Sequence, residues 1–435
     1  MVTGLRLERL AWSRGTTTRR TKAYTAAVDA AAVAAAMGDQ YRVEIEPFAV
    51  RIAGPRCGLL ATGWRRRSFA LWRTYEDETV TSDYARDGMT SCGRFEDGLA
   101  VVYWAHSVRP PWMDVCAVRA LVVGGTGFLG QHVVGELRRR GHRVTVLVRT
   151  PGAEPVDGVE TRTGDATELT VEAWADLLAG HDGPVFAAGV DDRVVPPAPA
   201  ADFLARVNVT PLRRLMHAAV RAGCSRAVVL GSYFTTMNRQ RPDLRLAQRH
   251  PYIRSRVEQM RAARAAAGVR VPVACIEIPF VVGRASGRRS VFAPAVPWLA
   301  SRVPLVAPRG GTAVVSSRAV AEAVVGAFER AAGGDFPVVE ENLSWHELLR
   351  RLAEAAGRRP PVRVWTLPRP FLSGPARAVG WAHRLRGREP GVAAAHVAEL
   401  FTQDLFLDPA VSRDELGVSV RDLDEPLRDT VAVDR

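Results

Sequence analysis

Lysine is nearly missing from this chain. Lys22 is the single one, so nearly all of the 59 basic residues are arginine. Beyond residue 22, any chemistry that needs a cation beside a proton-transferring group must take it from arginine, whose planar guanidinium is no simple replacement. Cysteine is also scarce. Cys57, Cys92, Cys116, Cys224 and Cys275 are odd in number, scattered and without CxxC spacing, which argues against a zinc ribbon and for a reducing compartment. His250 and His346 stand alone, without metal-ligand spacing, and read as structural or solvent-facing, so no metal is expected. No uninterrupted apolar run is long enough to span a bilayer. The alanine-rich run from Ala26 to Met37 is broken by Asp29 and does not make the core of a secretory signal. A cytoplasmic protein without a membrane partner is the expectation. The formal charge of +13 comes from arginines spread over the whole chain with no nucleic-acid-binding motif. It reads as compositional bias, and no nucleic-acid partner is expected.

With 435 residues, 47% of them hydrophobic and 24% charged, the chain is long enough for one large domain and a smaller part. Its organising stretch runs from Val118 to Thr150. A β-branched run to Val123 is followed by Gly124-Gly125-Thr126-Gly127-Phe128-Leu129-Gly130, an amphipathic run ending at Arg140-Gly141, and a second apolar run, Val144 to Val148. This is a strand-helix-strand unit. Gly124, Gly127 and Gly130 are spaced for a tight turn, close approach to a pyrophosphate and packing of helix on strand. The phosphates would meet the unpaired N–H groups of a helix N-terminus. At the end of the second strand, where a carboxylate would hold the ribose 2′-OH of NAD, stands Arg149. That points to NADP, with NAD as the alternative.

Residues 1–112 differ from the rest. They hold half of the tryptophans and arginine clusters such as Arg65-Arg66-Arg67. Ala26 to Met37 reads as a helix and Tyr41 to Ile52 as a strand, but the segment fits no fold. Met113 lies just ahead of the first strand, so the functional polypeptide is expected to start there or to carry 1–112 as an accessory extension. From Val118 onward apolar and helical runs alternate: 159–163, 171–178 (helix), 184–189, 201–222 (helix), 226–231, 252–267 (helix) and a strand over 271–282 edged by Pro272 and Pro279. This βαβ alternation predicts an α/β fold, a Rossmann-type doubly wound parallel sheet. The expected domains are an NAD(P)-binding part, 113–283, and a smaller substrate-covering part, 284–435. The latter would carry helices near 319–332, 345–356 and 396–405, with proline-rich links at 359–361 and 367–370.

Taken together, Gly124-x-x-Gly127-x-x-Gly130, Gly164-Asp165, Ala188-Gly189, Asn208-Val209 and Tyr252-Ile253-Arg254-Ser255-Arg256 follow the order seen in extended short-chain dehydrogenases/reductases. The chain resembles their NAD-dependent epimerase/dehydratase group, with a dihydroflavonol-reductase-like flavour, over roughly 118–283. The resemblance implies a cofactor path along Gly124, Thr126, Gly127, Phe128, Leu129 and Gly130, then Arg149, Asp165 and Ala166 near the adenosine, and Ala188 and Gly189. Asn208 would link its helix to the sheet. Tyr252 would exchange a proton with the substrate oxygen while hydride moves to or from the nicotinamide. The family's lysine, one helical turn on, is here Arg256. A free phenol titrates near about pH 10, so a neighbouring positive charge is needed for acid/base work near neutrality.

The family's third group is a hydroxyl at the end of the preceding strand. Ser232 is the candidate, although the family register falls nearer Tyr233, and Thr235 is the substitute. Arg284, Arg288 and Arg289 are candidates for an anionic substrate, or are simply solvated. The expected function is an NADP-dependent oxidoreductase acting on a carbonyl or secondary alcohol of a small organic substrate. The alternatives are a nucleotide-sugar epimerase/dehydratase and a non-catalytic NADP(H)-binding regulator. The helices at 201–222 and 252–267 resemble those through which the family forms homodimers.

Overall fold

The computed structural model describes residues 117–150, 159–288, 290–419 and 421–432, together with the backbone of six strands between residues 42 and 103. The chain divides into two compact units, Met1–Asp114 and Val115–Arg435. In the first unit, β1 Arg42–Glu46, β2 Ala49–Gly54, β3 Cys57–Thr62, β4 Ala70–Trp72, β5 Cys92–Arg94 and β6 Ala100–Tyr103 form an antiparallel sheet of order β1-β2-β3-β4-β6-β5. The single strand expected over 41–52 is two, since Arg42 to Glu46 fold back on Ala49 to Ala53. The helix expected at 26–37 and the start expected at Met113 lie outside the described residues, as does Arg289.

The second unit begins with β7 Arg119–Val123, α1 Phe128–Arg139, β8 Arg143–Val148, β9 Glu160–Thr163, α2 Val171–Leu178 and β10 Gly183–Phe186. It continues with α3 Ala200–Leu204, a π-turn Ala205–Val209, α4 Thr210–Arg221, β11 Ala227–Ser232, α5 Phe234–Gln240, α6 Pro251–Ala267 and β12 Val273–Ile278. After β13 Phe280–Val282, β14 Leu305–Ala307, β15 Gly311–Ser316 and α7 Ser317–Glu329 comes β16 Gly334–Pro337. Seven of these strands form one parallel sheet of order β16-β12-β11-β10-β7-β8-β9. Strand β7 lies between β8 and β10, with Val122 opposite Val146 on one side and Val185 on the other. The winding reverses there, and at such a switch point a crevice opens at the strands' carboxyl ends.

Alternation along the strands builds both faces of the sheet. Val122, Val146, Val185 and Val228 pack against Val133, Val134 and Leu137 of α1 and Val320 and Val324 of α7. Leu121, Val123, Leu147 and Phe186 pack against Trp174 of α2 and Leu212 and Met216 of α4. Burying each such side chain is worth about 1.5–3 kcal/mol, so a one-residue slip of any strand would cost several of them at once.

Two proline-marked expectations change. The strand expected over 271–282 is broken at Pro279, which has no N–H for the ladder. β12 stays in the main sheet, while β13 joins a second sheet beside β15, with β17 Glu341–Ser344 antiparallel on the other side of β15. After α8 Trp345–Ala355 and β18 Val364–Thr366, the expected link at 367–370 opens a 17-residue helix, α9 Arg369–Leu385, with Pro370 in its first turn. Proline is tolerated in that turn because its missing N–H would have no partner there anyway. The helix expected over 396–405 is a short one, Val397–Phe401, followed by β19 Asp404–Leu405 beside β15.

Candidate active site

The crevice floor is the turn from β7 into α1. Gly124 has φ +83°, and a Cβ there would lie 2.9 Å from the Ala188 nitrogen. At Gly130 a Cβ would lie 2.1 Å from the Gly124 carbonyl oxygen. The Gly127 N–H donates to that same oxygen at 2.9 Å. Gly127 caps α1 without a side-chain bond, and the first turn, which holds Phe128 and Leu129, carries no acidic residue. A helix start of this kind, with a cradle a single methyl group would fill, fits a pyrophosphate. The neighbouring carbonyl of Thr126 accepts from Gln131 Nε2 at 3.3 Å and from Arg288 Nε at 3.1 Å. Gln131 also reaches the Ser286 carbonyl at 2.9 Å, and His132 Nε2 meets that of Arg284 at 2.8 Å. The 284–288 segment therefore lies along the first turns of α1. Arg288, read from sequence as a substrate or solvent residue, stands at the phosphate turn.

Arg149 is exposed and directly follows β8. It lies in electrostatic reach of Asp165, whose carboxyl is held below its ordinary range first by the Thr167 backbone N–H, then by the Thr167 hydroxyl, with a smaller part from Arg149. Asp165 Oδ1 accepts both Thr167 groups, at 2.9 and 2.7 Å. The aspartate thus builds its own turn, and Ala166 packs beside it on the core.

Behind the loop that follows β10, Asn208 sits in the π-turn and is fully buried. Its Oδ1 accepts the Val190 N–H at 2.8 Å and its Nδ2 donates to the Val190 carbonyl at 3.1 Å. Gln259 Nε2 donates to the Asn208 carbonyl at 2.8 Å, filling an acceptor in that turn. These bonds fix Ala188, Gly189 and Val190 against α6. Gly189 has φ +134°, and a Cβ there would lie 2.9 Å from Asn208 Oδ1.

On α6, Tyr252 and Arg256 are one turn apart and both buried. Arg256 Nε donates to Tyr252 Oη at 3.3 Å, and its guanidinium carbon lies 5.3 Å from the tyrosine ring centre. Its other donors go to Gln259 Oε1 at 2.9 Å and the Val190 carbonyl at 3.5 Å. Phe234 stands edge-on to the Tyr252 ring at 6.5 Å. The Tyr252 N–H donates to the Gly391 carbonyl at 2.9 Å, and a Cβ at Gly391 would sit 2.9 Å from that of Tyr252. Gly391, in the C-terminal part, had no signal in the sequence.

The hydroxyl candidates are placed differently. Ser232 is buried and its Oγ accepts the Phe234 N–H at 3.4 Å, at the start of α5. Thr235 and Thr236 donate to the two carboxylate oxygens of buried Glu277, which Arg239 also grips at 2.8 and 2.7 Å. Thr235 is thereby committed elsewhere and does not serve as substitute. Tyr233, the register position, lies in electrostatic reach of Tyr252 and Asp192; burial pushes its phenol well up, and its hydroxyl meets Thr312 Oγ1 at 3.1 Å. Asp192, half-buried on the loop after β10, faces Arg256; burial and then Asp191 push its carboxyl up. Neither Asp192 nor Thr312 belongs to a sequence motif.

His250, directly before α6, is buried, and its Nδ1 accepts the Ala393 N–H at 3.0 Å. Among the described residues, Cys275, Glu277 and Asp335 are close enough to share a metal ion. However, Arg239 pairs with both carboxylates and Arg264 with Asp335, which makes this an ion-pair cluster. A cavity of about 910 Å³ opens at the sheet's other end, lined by Arg119, Arg143, Glu160 and His181 near the strands' amino ends. It lies opposite the glycine crevice.

A family model described as NAD(P)H-binding matches residues 124–269. A 3-beta-hydroxysteroid dehydrogenase of Mycolicibacterium neoaurum is 33% identical over 126 residues, 28% of this chain and 34% of that protein. The chain thus spans about a third of the length of that relative. A 3-diazoavenalumate denitrifying reductase of a Streptomyces species is 30% identical over 281 residues, 61% of this chain and 88% of that protein. Among solved structures, gox2253 superimposes with a TM-score of 0.58 at 22% identity, covering 72% of this chain and 96% of its own.

Proposed function

The chain belongs to the extended short-chain dehydrogenases/reductases, and we propose that it is an NADP-dependent reductase of a carbonyl or comparably electrophilic group on a small organic molecule. The observation that carries this is the Arg256 Nε to Tyr252 Oη contact at 3.3 Å, on a helix held to the loop that edges the glycine crevice. Bound NADPH would supply the hydride. The glycine turn and the α1 N-terminus would hold its pyrophosphate, Arg149 its 2′-phosphate, and the Ala188–Val190 loop would run along its path. Tyr252 would donate its phenolic proton to the oxygen that gains charge as hydride arrives. Arg256 would stabilise the phenolate left behind, and Tyr233 with Thr312 would take the place of the family's single hydroxyl.

The relative that this chain spans over 88% of its length is named a reductase, which supports net reduction over an epimerase that regenerates its cofactor. The test is NADPH and NADH titration followed by turnover on a panel of ketones and diazo compounds, with Tyr252→Phe beside the unaltered protein. NADPH consumption that falls by about 10²-fold or more in Tyr252→Phe supports the reading. Tight NADPH binding without Tyr252-dependent consumption favours a binding regulator, and turnover without net NADPH loss favours an epimerase.

A further inference from the structure

Helix α9 is built inside out. Gly380 is buried so closely that a Cβ there would lie 2.6 Å from the Ala394 Cβ, and half-buried Ala376 lies on the same side of the helix. Apart from half-buried Leu372, the large apolar side chains point away: Phe371 is 68% exposed, Val379 57%, Trp381 63% and Leu385 67%. Residues 371, 378, 381 and 385 share one face at 3.6 residues per turn. A soluble helix ordinarily has the reverse pattern. Next to it in sequence, Trp365 of β18 is 61% exposed as well.

The charge around this face has one sign. From Ala355 to Arg388 there is no aspartate or glutamate, and there are eight arginines. Of these, Arg369, Arg377, Arg384 and Arg386 are exposed on the helix and its end. Among the described residues no helix is long and apolar enough to cross a membrane. An interfacial helix needs no such length, only an aromatic and aliphatic face with arginines beside it.

We infer that α9 is a docking surface for an anionic lipid bilayer, lying in the headgroup plane with Phe371, Trp381 and Leu385 immersed and the arginines on the phosphates. A second copy of the chain is the poorer occupant, because a two-fold contact would set Arg377, Arg384 and Arg386 against their own copies, and the carboxylate in electrostatic reach of these arginines' neighbour Arg369 is Glu399. The surface adds attachment at a membrane to the reductase fold and does not depend on the reading of the active site.

The test is co-sedimentation of the full chain with vesicles of phosphatidylcholine alone and of phosphatidylcholine with phosphatidylglycerol. Two variants accompany it, Phe371→Ser with Trp381→Ser, and Arg377→Glu with Arg384→Glu. All four positions are exposed, and thermal unfolding and NADPH titration check that each variant keeps its fold. The expected result is binding to the anionic vesicles only, weakened by salt, with a partition coefficient about tenfold lower in either double variant. Absence of binding to the anionic vesicles overturns the proposal, as does binding that both double variants retain. Concentration-dependent self-association without vesicle binding, abolished by the serine pair, overturns it in favour of a second copy.

Discussion

Protonation of His250 should unlatch the helix that carries Tyr252. The imidazole is held down to about 4 from 6.5, first by burial, then by the charges of His396 and Arg249, with Glu399 opposing them. Its neutral Nδ1 accepts the Ala393 N–H at 3.0 Å, two residues beyond the Gly391 carbonyl that takes the Tyr252 N–H at 2.9 Å. A proton on Nδ1 would turn that acceptor into a donor facing another donor. The folded pKa lies below the unfolded one, so the unfolded chain takes up the proton first. Stability is therefore complete above about pH 6.5, falls with a limiting slope of about 1.4 kcal/mol per unit as pH drops, and levels off below about pH 4. The full loss is about 3 kcal/mol. The assay is urea unfolding of the full chain and of His250→Asn, which keeps an acceptor near Nδ1, at several pH values between 7 and about 4.5. His132, also lowered chiefly by burial, titrates in both proteins and cancels in the difference. The expected outcome is a shallower pH slope in His250→Asn, and equal slopes would refute the assignment.

Three further outcomes are expected. Gly130→Ala places a methyl group 2.1 Å from the Gly124 carbonyl, so it should cost about 1–3 kcal/mol in thermal unfolding and abolish NADPH binding in a fluorescence titration. Arg149→Asp removes the proposed partner of the 2′-phosphate, so NADPH affinity should fall by about 10–100-fold with NADH affinity changed far less; unchanged discrimination would show that Arg149 does not read that phosphate. Arg256→Lys keeps the charge but gives up the fork that reaches both Gln259 and Val190, so kcat should fall more than NADPH affinity, and a rise in kcat would show that arginine is a defect here.

The legible parts of the chain were those written at short range. The turn around Gly124, Gly127 and Gly130 could be read because Gly127 and Gly130 crowd the Gly124 carbonyl within seven residues and Gly124 itself has φ +83°. Tyr252 and Arg256 could be paired because helical spacing puts them on one face. The parallel sheet followed from buried apolar runs between helical ones. What stayed hidden joins distant segments. Tyr233 meets Thr312 from another sheet, Arg288 returns to Thr126, and Gly391 crosses Tyr252. No local pattern marks such partners. Prolines misled in both directions: Pro279 splits one expected strand between two sheets, while Pro370 begins a helix where a link was expected. In the first unit only 41–52 reads as strand, because the later short strands are not set off by helical runs as those of the second unit are.

Arg256 shows why composition alone was a poor guide to the site. In a chain with one lysine, arginine in a lysine position reads equally well as drift or as decay. The surroundings separate the two. A buried guanidinium left in a decayed site would hold unpaired donors, each costing about 1–3 kcal/mol. Here one edge faces Tyr252 Oη, Gln259 Oε1 takes a second donor, and the Val190 carbonyl receives a third. Gln259 in turn donates to the Asn208 carbonyl, and Asn208 holds Val190 from the other side. The larger cation is thus built into the bracing of the loop on which the cofactor would lie. Paired donors of this kind support the proposal of catalysis by Tyr252 over a lapsed fold that only binds.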